Sequence, residues 1–349
     1  MIKVTTPSRI CLFGEHQDYL GLPVLAMAIS LRSEIKFLKR SDRIVKIKMP
    51  DIKDEQIFDL DNLRYEHNRD YYKSGVKVCM ENGMQFSQGF ECEIRSDIPI
   101  QSGLSSSSSI VVGWINFLSK ICDQKKEISN YQIAELAYRA EVLEFNEPGG
   151  MMDQFSTSYG GLIGIDTSSK NVEQFNLDLG TIIIGDSNER KNTLSILERC
   201  KKERLSIIDR IKKIDPAFNL RISVFDDISC DLSDSEAQLI QATLDNRDIY
   251  NQAEIEIRKK VVDLKKIGKL LIKHHENLSK GLRVSTAKID NMLNASIEAG
   301  ALGGKITGSG GGGCMFVLSN EDPLKIVSAI KKNGGKAHIV KMDTGTYLA

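Results

Sequence analysis

Pro99-Ile100-Gln101-Ser102-Gly103-Leu104-Ser105-Ser106-Ser107-Ser108-Ser109-Ile110-Val111-Val112 is the stretch on which the reading of this sequence turns. A strand candidate, Phe90 to Ile94, leads into it. From Ile110 to Lys120 apolar residues, Trp114, Ile115, Phe117 and Leu118 among them, fall on most sides of a helical wheel. That predicts a helix buried nearly all round. Gly103 allows a tight turn, and five serines then open the helix. A helix N-terminus presents unpaired N–H groups and the positive end of its dipole, so it binds phosphate well. A plain cap needs one serine, and a linker would not run straight into a buried helix. The run therefore favours a phosphate site, with hydroxyls that can also ligate a metal.

Downstream, Thr307-Gly308-Ser309-Gly310-Gly311-Gly312-Gly313 satisfies GxGxxG literally. A dinucleotide fingerprint requires a helix after the glycines. Here the strand-like Cys314-Met315-Phe316-Val317-Leu318 follows, which rejects that reading. What remains is either a loop whose backbone approaches another group closely or a plain hairpin tip. Between the two glycine-bearing segments, Gly149-Gly150-Met151-Met152-Asp153 puts a carboxylate at a helix start. An anion there is stabilised by the helix dipole and can serve as a general base. Glu141 is a second carboxylate, able to hold a divalent cation. Taken singly, Asp153 also reads as an ordinary helix-start charge and Glu141 as a surface residue. Upstream, Arg9-Ile10-Cys11-Leu12-Phe13 gives way to Gly14-Glu15-His16-Gln17-Asp18-Tyr19, a polar cluster able to bind several hydroxyls or simply a polar turn. No Walker A motif occurs, so any ATP site is not of the P-loop type.

The chain has 349 residues, which suggests two domains, and its 47 Lys+Arg balance 47 Asp+Glu. Zero net charge argues against nucleic-acid binding. With 41% hydrophobic and 27% charged residues the composition is that of an ordinary globular protein. No apolar run is long enough for a membrane span, and the N-terminus lacks a signal peptide. Seven scattered cysteines without a CxxC pair predict free thiols in a reducing cytoplasm and no structural zinc. Strands are predicted over Val24 to Ile29, Glu34 to Leu38, Arg43 to Met49, Leu162 to Ile165, Thr181 to Gly185, Lys305 to Thr307, Cys314 to Leu318 and Ala337 to Met342. Helices are predicted over Tyr131 to Phe145, Leu194 to Ile214, Asp234 to Leu244, Ile255 to Leu271, Ala287 to Ala299 and Pro323 to Lys332. The basic stretch Arg258 to His275 reads as a surface helix with a solvated face.

Together the segments resemble the GHMP small-molecule kinases, which carry three motifs in fixed order. Pro7 to His16 is similar to the first, Pro99 to Ser109 to the second, and Lys305 to Cys314 to the third. Gly14 to Tyr19 resembles the galactokinase sugar signature, and Gly150-Met151-Met152-Asp153-Gln154-Phe155 the segment bearing that family's catalytic aspartate. Arg9 is galactokinase-like too, whereas Val284-Ser285-Thr286 and Gly300 to Gly310 resemble mevalonate kinase. Departures from galactokinases are Leu20-Gly21-Leu22-Pro23 after the signature, a single glycine before the serines, and no tyrosine after Ser187-Asn188.

The resemblance implies an α+β fold of two domains. Residues 1–180 would form a domain like ribosomal protein S5 domain 2, and residues 181–349 a ferredoxin-like domain. It implies ATP- and Mg²⁺-dependent phosphorylation of a sugar hydroxyl, the anomeric one of galactose or a related sugar, in the cytoplasm and without nucleic-acid or membrane partners. A mevalonate-type or other polyol kinase is an alternative, as is a non-catalytic sugar- and ATP-binding sensor. Asp153 and Arg9 would be catalytic. Glu15, His16, Asp18 and Gly150 would contact the sugar. Gly103, Leu104, Ser105, Ser106, Ser107 and Ser108 would cradle the phosphates, with Ser107 and Glu141 on Mg²⁺. Gly308 to Gly313 would support the phosphate loop and the Asp153 region.

Overall fold

A computed structural model describes residues 2–100, 102–189, 193–319 and 322–349. Gln101 of the serine segment, and Arg190 to Asn192 after Ser187-Asn188, lie outside the described residues. The chain opens with strands β1 (Lys3–Phe13), β2 (Val24–Lys39), β3 (Ile44–Met49) and β4 (Asp54–Asp59), helix α1 (Tyr71–Glu81) and strand β5 (Phe90–Ser96). Helices α2 (Ser106–Ile121), α3 (Asn130–Tyr138) and α4 (Met152–Tyr159) precede β6 (Leu162–Asp166), β7 (Asn171–Phe175) and β8 (Ile182–Asp186). Then come α5 (Thr193–Ile214), α6 (Asp234–Ile257), α7 (Leu264–Glu276) and α8 (Ala287–Glu298). Strands β9 (Ala301–Ile306) and β10 (Cys314–Ser319), helix α9 (Pro323–Lys332) and strands β11 (Lys336–Val340) and β12 (Tyr347–Leu348) close the chain.

Among the described residues the strands form two sheets. The eight-stranded one runs β12-β1-β2-β5-β3-β4, with β6 on β2 and β7 on β6. The four-stranded one runs β11-β8-β10-β9 and is antiparallel throughout. Val24 to Ile29 and Glu34 to Leu38, which read as separate strands, belong to the single strand β2. Its first residues pair with β6 and its last with β5. The β1–β2 register shifts between Pro7 and Ser8, where Arg32 gives way to Ile29 as the partner. Proline has no N–H for the ladder, so it sits where the pairing is broken, and Arg9 follows directly.

Helix α2 lies on the large sheet, with Trp114 and Phe117 in one apolar cluster with Ile35, Val45 and Phe90. Gly113 permits the close approach, because a Cβ there would meet Thr6 Oγ1 at 2.8 Å. Ile10, Leu12 and Phe13 of β1 share another cluster with Ile182 and Ile184 of β8 and Phe316 of β10. The strand carrying Arg9 therefore belongs to the large sheet and packs against the small one. No helix among the described residues is long and apolar enough to cross a membrane.

Two helix assignments change. The helix read over Tyr131 to Phe145 is α3 running into a π-helical turn, Arg139–Leu143, and Glu141 sits in that turn. Such turns rotate the following side chains, and they recur at functional sites. The helix read over Ile255 to Leu271 is broken between α6 and α7, where Asp263 caps α7 by accepting from the N–H groups of Lys265 and Lys266. Part of its basic face is paired: Arg258 bonds Glu173 and Glu254, and Lys259 and Lys266 both bond Glu256. Helix α1 and strands β4 and β7 had no clear signal in the sequence. Strand β4 is largely polar and β7 is short, whereas α1 buries Tyr72, Val76, Val78 and Cys79.

Candidate active site

The serine run enters α2 through two left-handed residues, Gly103 (φ 89°) and Ser105 (φ 55°). The second is unusual for a residue with a Cβ. It turns Ser105 away from α2, so that its Oγ donates to Asp153 Oδ2 at 2.5 Å. Asp153 lies in the first turn of α4. Arg9 reaches it from β1 with two parallel bonds, Nε to Oδ1 at 2.7 Å and Nη2 to Oδ2 at 2.8 Å. This is the bidentate geometry that fixes a carboxylate in direction as well as charge. The remaining Nη1 donates to the Gly103 carbonyl at 2.7 Å. Arg9 is inside the protein, whereas the Asp153 side chain keeps 28% of its exposure, and that exposure opens onto a cavity of about 430 Å³.

Ser105 to Ser108 line the cavity. Leu104, counted with them from sequence, is turned into the core, and its carbonyl accepts from Ser8 Oγ. The buried carboxylate of Glu141 accepts from the Gln154 amide at 2.6 Å and has the Ser107 and Ser108 hydroxyls beside it. Burial pushes Glu141 up to about 7 against these favourable neighbours. On the opposite side Asp18 accepts from the Tyr19 N–H at 3.0 Å and the Met152 N–H at 3.4 Å. Burial, followed by the charge of Asp153, raises Asp18 to about 6. Gly150 allows this packing, because a Cβ there would fall 2.0 Å from Asp18 Oδ2.

Glu15 and His16 line the same cavity, and each is also held by partners inside the protein. Glu15 Oε2 accepts from Lys305 Nζ at 2.6 Å, and both residues are buried. Both His16 ring nitrogens are engaged, Nδ1 with the Tyr19 hydroxyl at 2.8 Å and Nε2 with the Ser309 carbonyl at 3.1 Å. Residues Thr307 to Gly313 connect the paired strands β9 and β10. Their glycines make the close approach the sequence left open. A Cβ on Gly308 would meet the Gly103 carbonyl oxygen at 2.6 Å, and one on Gly313 would meet that of Ser102 at 2.4 Å.

Lys305, Tyr19, Gln154 and Arg204 were not singled out from sequence. Lys305 had no local signal, since Glu15 is 290 residues away. Arg204 did have one. It falls at helical spacing among Cys200, Ile207, Ile208 and Ile211, the buried face of α5. A charge in an apolar stripe needs a partner inside the protein.

A bidentate arginine–carboxylate pair facing a cavity whose wall is a serine-rich helix N-terminus suits transfer of a phosphoryl group, which needs positioning and charge stabilisation more than covalent chemistry. The family comparisons agree. The GHMP kinases N terminal domain matches residues 70–161, GHMP kinases C terminal matches 257–336, and the galactokinase galactose-binding signature matches 2–35. The chain belongs to the GHMP kinases and is an ATP-dependent phosphotransferase.

Within that family it is 30% identical to a galactokinase of Streptococcus thermophilus, over 92% of this chain and 86% of the relative. It is 27% identical to a mevalonate kinase of Thermococcus onnurineus, over 98% of this chain and 96% of the relative. The crystal structure of Lactococcus lactis galactokinase complexed with galactose shares the fold, with a TM-score of 0.87 at 23% identity, covering 100% of this chain and 95% of that one.

Proposed function

We propose that this chain is a sugar kinase that transfers the γ-phosphoryl group of ATP to the anomeric hydroxyl of galactose or a closely related sugar. The observation that carries the reading is Asp153, held by Arg9 and Ser105 and facing the same cavity as Asp18. Asp153 would accept the acceptor hydroxyl's proton, and Arg9 would orient it and stabilise the charge that develops on transfer. The α2 N-terminus and its serines would hold the phosphates. Met49, Ile52, Ile94 and Ile110 also line the cavity and suit a flat nucleobase.

Glu141 with the Ser107 hydroxyl forms a set of hard oxygen donors that fits Mg²⁺. When bound there, the ion would neutralise phosphate charge, and it would keep Glu141 ionised. Asp18 and the backbone at Gly150 would receive sugar hydroxyls. In this reading residues 1–180 carry the acceptor and phosphate sites, and residues 181–349 supply the glycine loop that buttresses them.

A mevalonate-type activity is the second reading, favoured by the similarity to mevalonate kinases over nearly the whole chain. Mevalonate carries a carboxylate and needs a cation. Among the described residues lining the cavity, Arg9, Arg69 and Arg95 are each paired with a carboxylate: Asp153, Glu147 and Glu93. The buried carboxyl of Asp18 suits a neutral polyol better. ADP release with ATP and Mg²⁺ across galactose, other hexoses, pentoses, uronic acids and mevalonate tests the choice. Turnover of a neutral sugar supports the reading, and product NMR locates the phosphate. Turnover of mevalonate alone overturns it, and ATP binding without ADP release on any acceptor points to a sensor.

A further inference from the structure

A file of hydrogen bonds crosses the acceptor end of the cavity and reaches the glycine loop from helix α5. Arg204 is 1% exposed. Its Nε donates to the Cys200 carbonyl at 2.9 Å, and its Nη2 donates both to the His16 carbonyl at 2.8 Å and to the Tyr19 hydroxyl oxygen. Tyr19 in turn meets His16 Nδ1, and His16 Nε2 meets the Ser309 carbonyl.

The directions follow from chemistry. A carbonyl only accepts, so Nε2 carries the His16 proton. Arg204 already occupies a lone pair of the Tyr19 oxygen, and its charge disfavours a second cation beside it. Tyr19 O–H therefore donates to Nδ1, and His16 is neutral and fixed in one tautomer. The Arg204 guanidinium also lies 5.3 Å from the centre of the Tyr19 ring, and that ring meets His16 edge-on. Helix α5, the loop from Gly14 to Tyr19 and the glycine loop are thus joined by donors and acceptors that all point one way.

We propose that Arg204, acting through Tyr19, is a positioning residue that seats His16 and its loop against Ser309, and so sets the acceptor end of the cavity. Neither Arg204 nor Tyr19 performs a step of the reaction. Both fix where Asp18 and the backbone of the loop stand relative to Asp153. The inference rests on the sugar-kinase reading only for the identity of the acceptor.

The test uses the full-length protein and two readouts. Ring ¹⁵N NMR at pH 7 should show wild-type His16 as the neutral Nε2–H tautomer with a hydrogen-bonded Nδ1, and Tyr19→Phe should shift the Nδ1 resonance toward that of an unbonded ring nitrogen while Nε2, on the Ser309 carbonyl, keeps its proton. This readout needs no substrate, so it stands even where galactose is not turned over. In ADP-release assays with galactose, Tyr19→Phe and Arg204→Lys should each raise the galactose KM about fivefold to tenfold, the size of one lost hydrogen bond. The KM for ATP should stay within about twofold, because the phosphate end is untouched. Tyr19→Phe removes one oxygen atom and keeps the ring, so it remains informative where the arginine variant fails to fold. A wild-type His16 found as the Nδ1–H tautomer or as imidazolium would overturn the proposal. So would equal rises in both KM values, or a drop in Tm with neither KM changed.

Discussion

The two ends of the cavity are built in opposite ways. At the end proposed for transfer, Arg9, Ser105 and Asp153 come from β1, the entry to α2 and the start of α4, which pack together around the large sheet. The carboxylate there is partly open. At the end proposed for the acceptor, Glu15, His16 and Tyr19 are held by Lys305, Ser309 and Arg204, which come from β9, the glycine loop and α5. There the ion pair is sealed from solvent. The difference separates chemistry from fit. In the proposed reading the transfer end needs a carboxylate fixed in one direction, and a single arginine fork supplies that. The acceptor end needs a shape, and it takes both halves of the chain to make one.

The largest effect should come at the transfer end. Asp153→Asn should lower kcat about 10³-fold or more while nucleotide binding, followed by calorimetry, persists. Near-wild-type kcat would erase the distinction between the two ends. Arg9→Lys keeps the charge but loses the fork, and should cost about 10²-fold in kcat. A loss confined to the acceptor KM would move Arg9 into the other group.

Lys305→Met tests the acceptor end through stability. It leaves Glu15 buried without its cation, which should cost about 3–5 kcal/mol in denaturant unfolding. Glu15→Gln with Lys305→Met should recover most of that loss. A double variant as unstable as the single one would show that packing, not charge, makes the contact.

Titration should also separate the ends. Asp18 is raised to about 6 and Glu141 to about 7, both chiefly by burial. The free enzyme's kcat/KM should therefore fall as pH drops through about 7 and then about 6, and Asp18→Asn should remove the lower step. Stability follows the opposite sign. Both groups bind protons more tightly folded than unfolded, so their favourable contribution is complete below about pH 4 and is lost as pH rises through the folded values. The smallest effect follows: Glu141→Gln should raise Tm at pH 8 by roughly 5 °C while impairing turnover. An unchanged Tm would mean that Glu141 is not buried as a charge.

Local chemistry was legible in the sequence wherever a short segment states its own purpose. The serine run predicts α2, and its N-terminal turn lines the cavity. The glycines of residues 308–313 predict a close backbone approach, and the carbonyls of Ser102 and Gly103 are what they approach. Asp153 was placed at a helix start from two preceding glycines. The π-helical turn at Glu141 was not legible, because one extra residue in a helical turn leaves no periodic trace.

The sequence by itself determined the class of chemistry, since backbone turns, helix starts and hydroxyl runs act over a few residues and their physics is local. Only the tertiary structure decided that Lys305 faces Glu15, and that Arg204 holds Tyr19 and His16. Those partners lie 185 to 290 residues apart. A buried charge requires a partner, yet nothing in its own neighbourhood says which element will bring one.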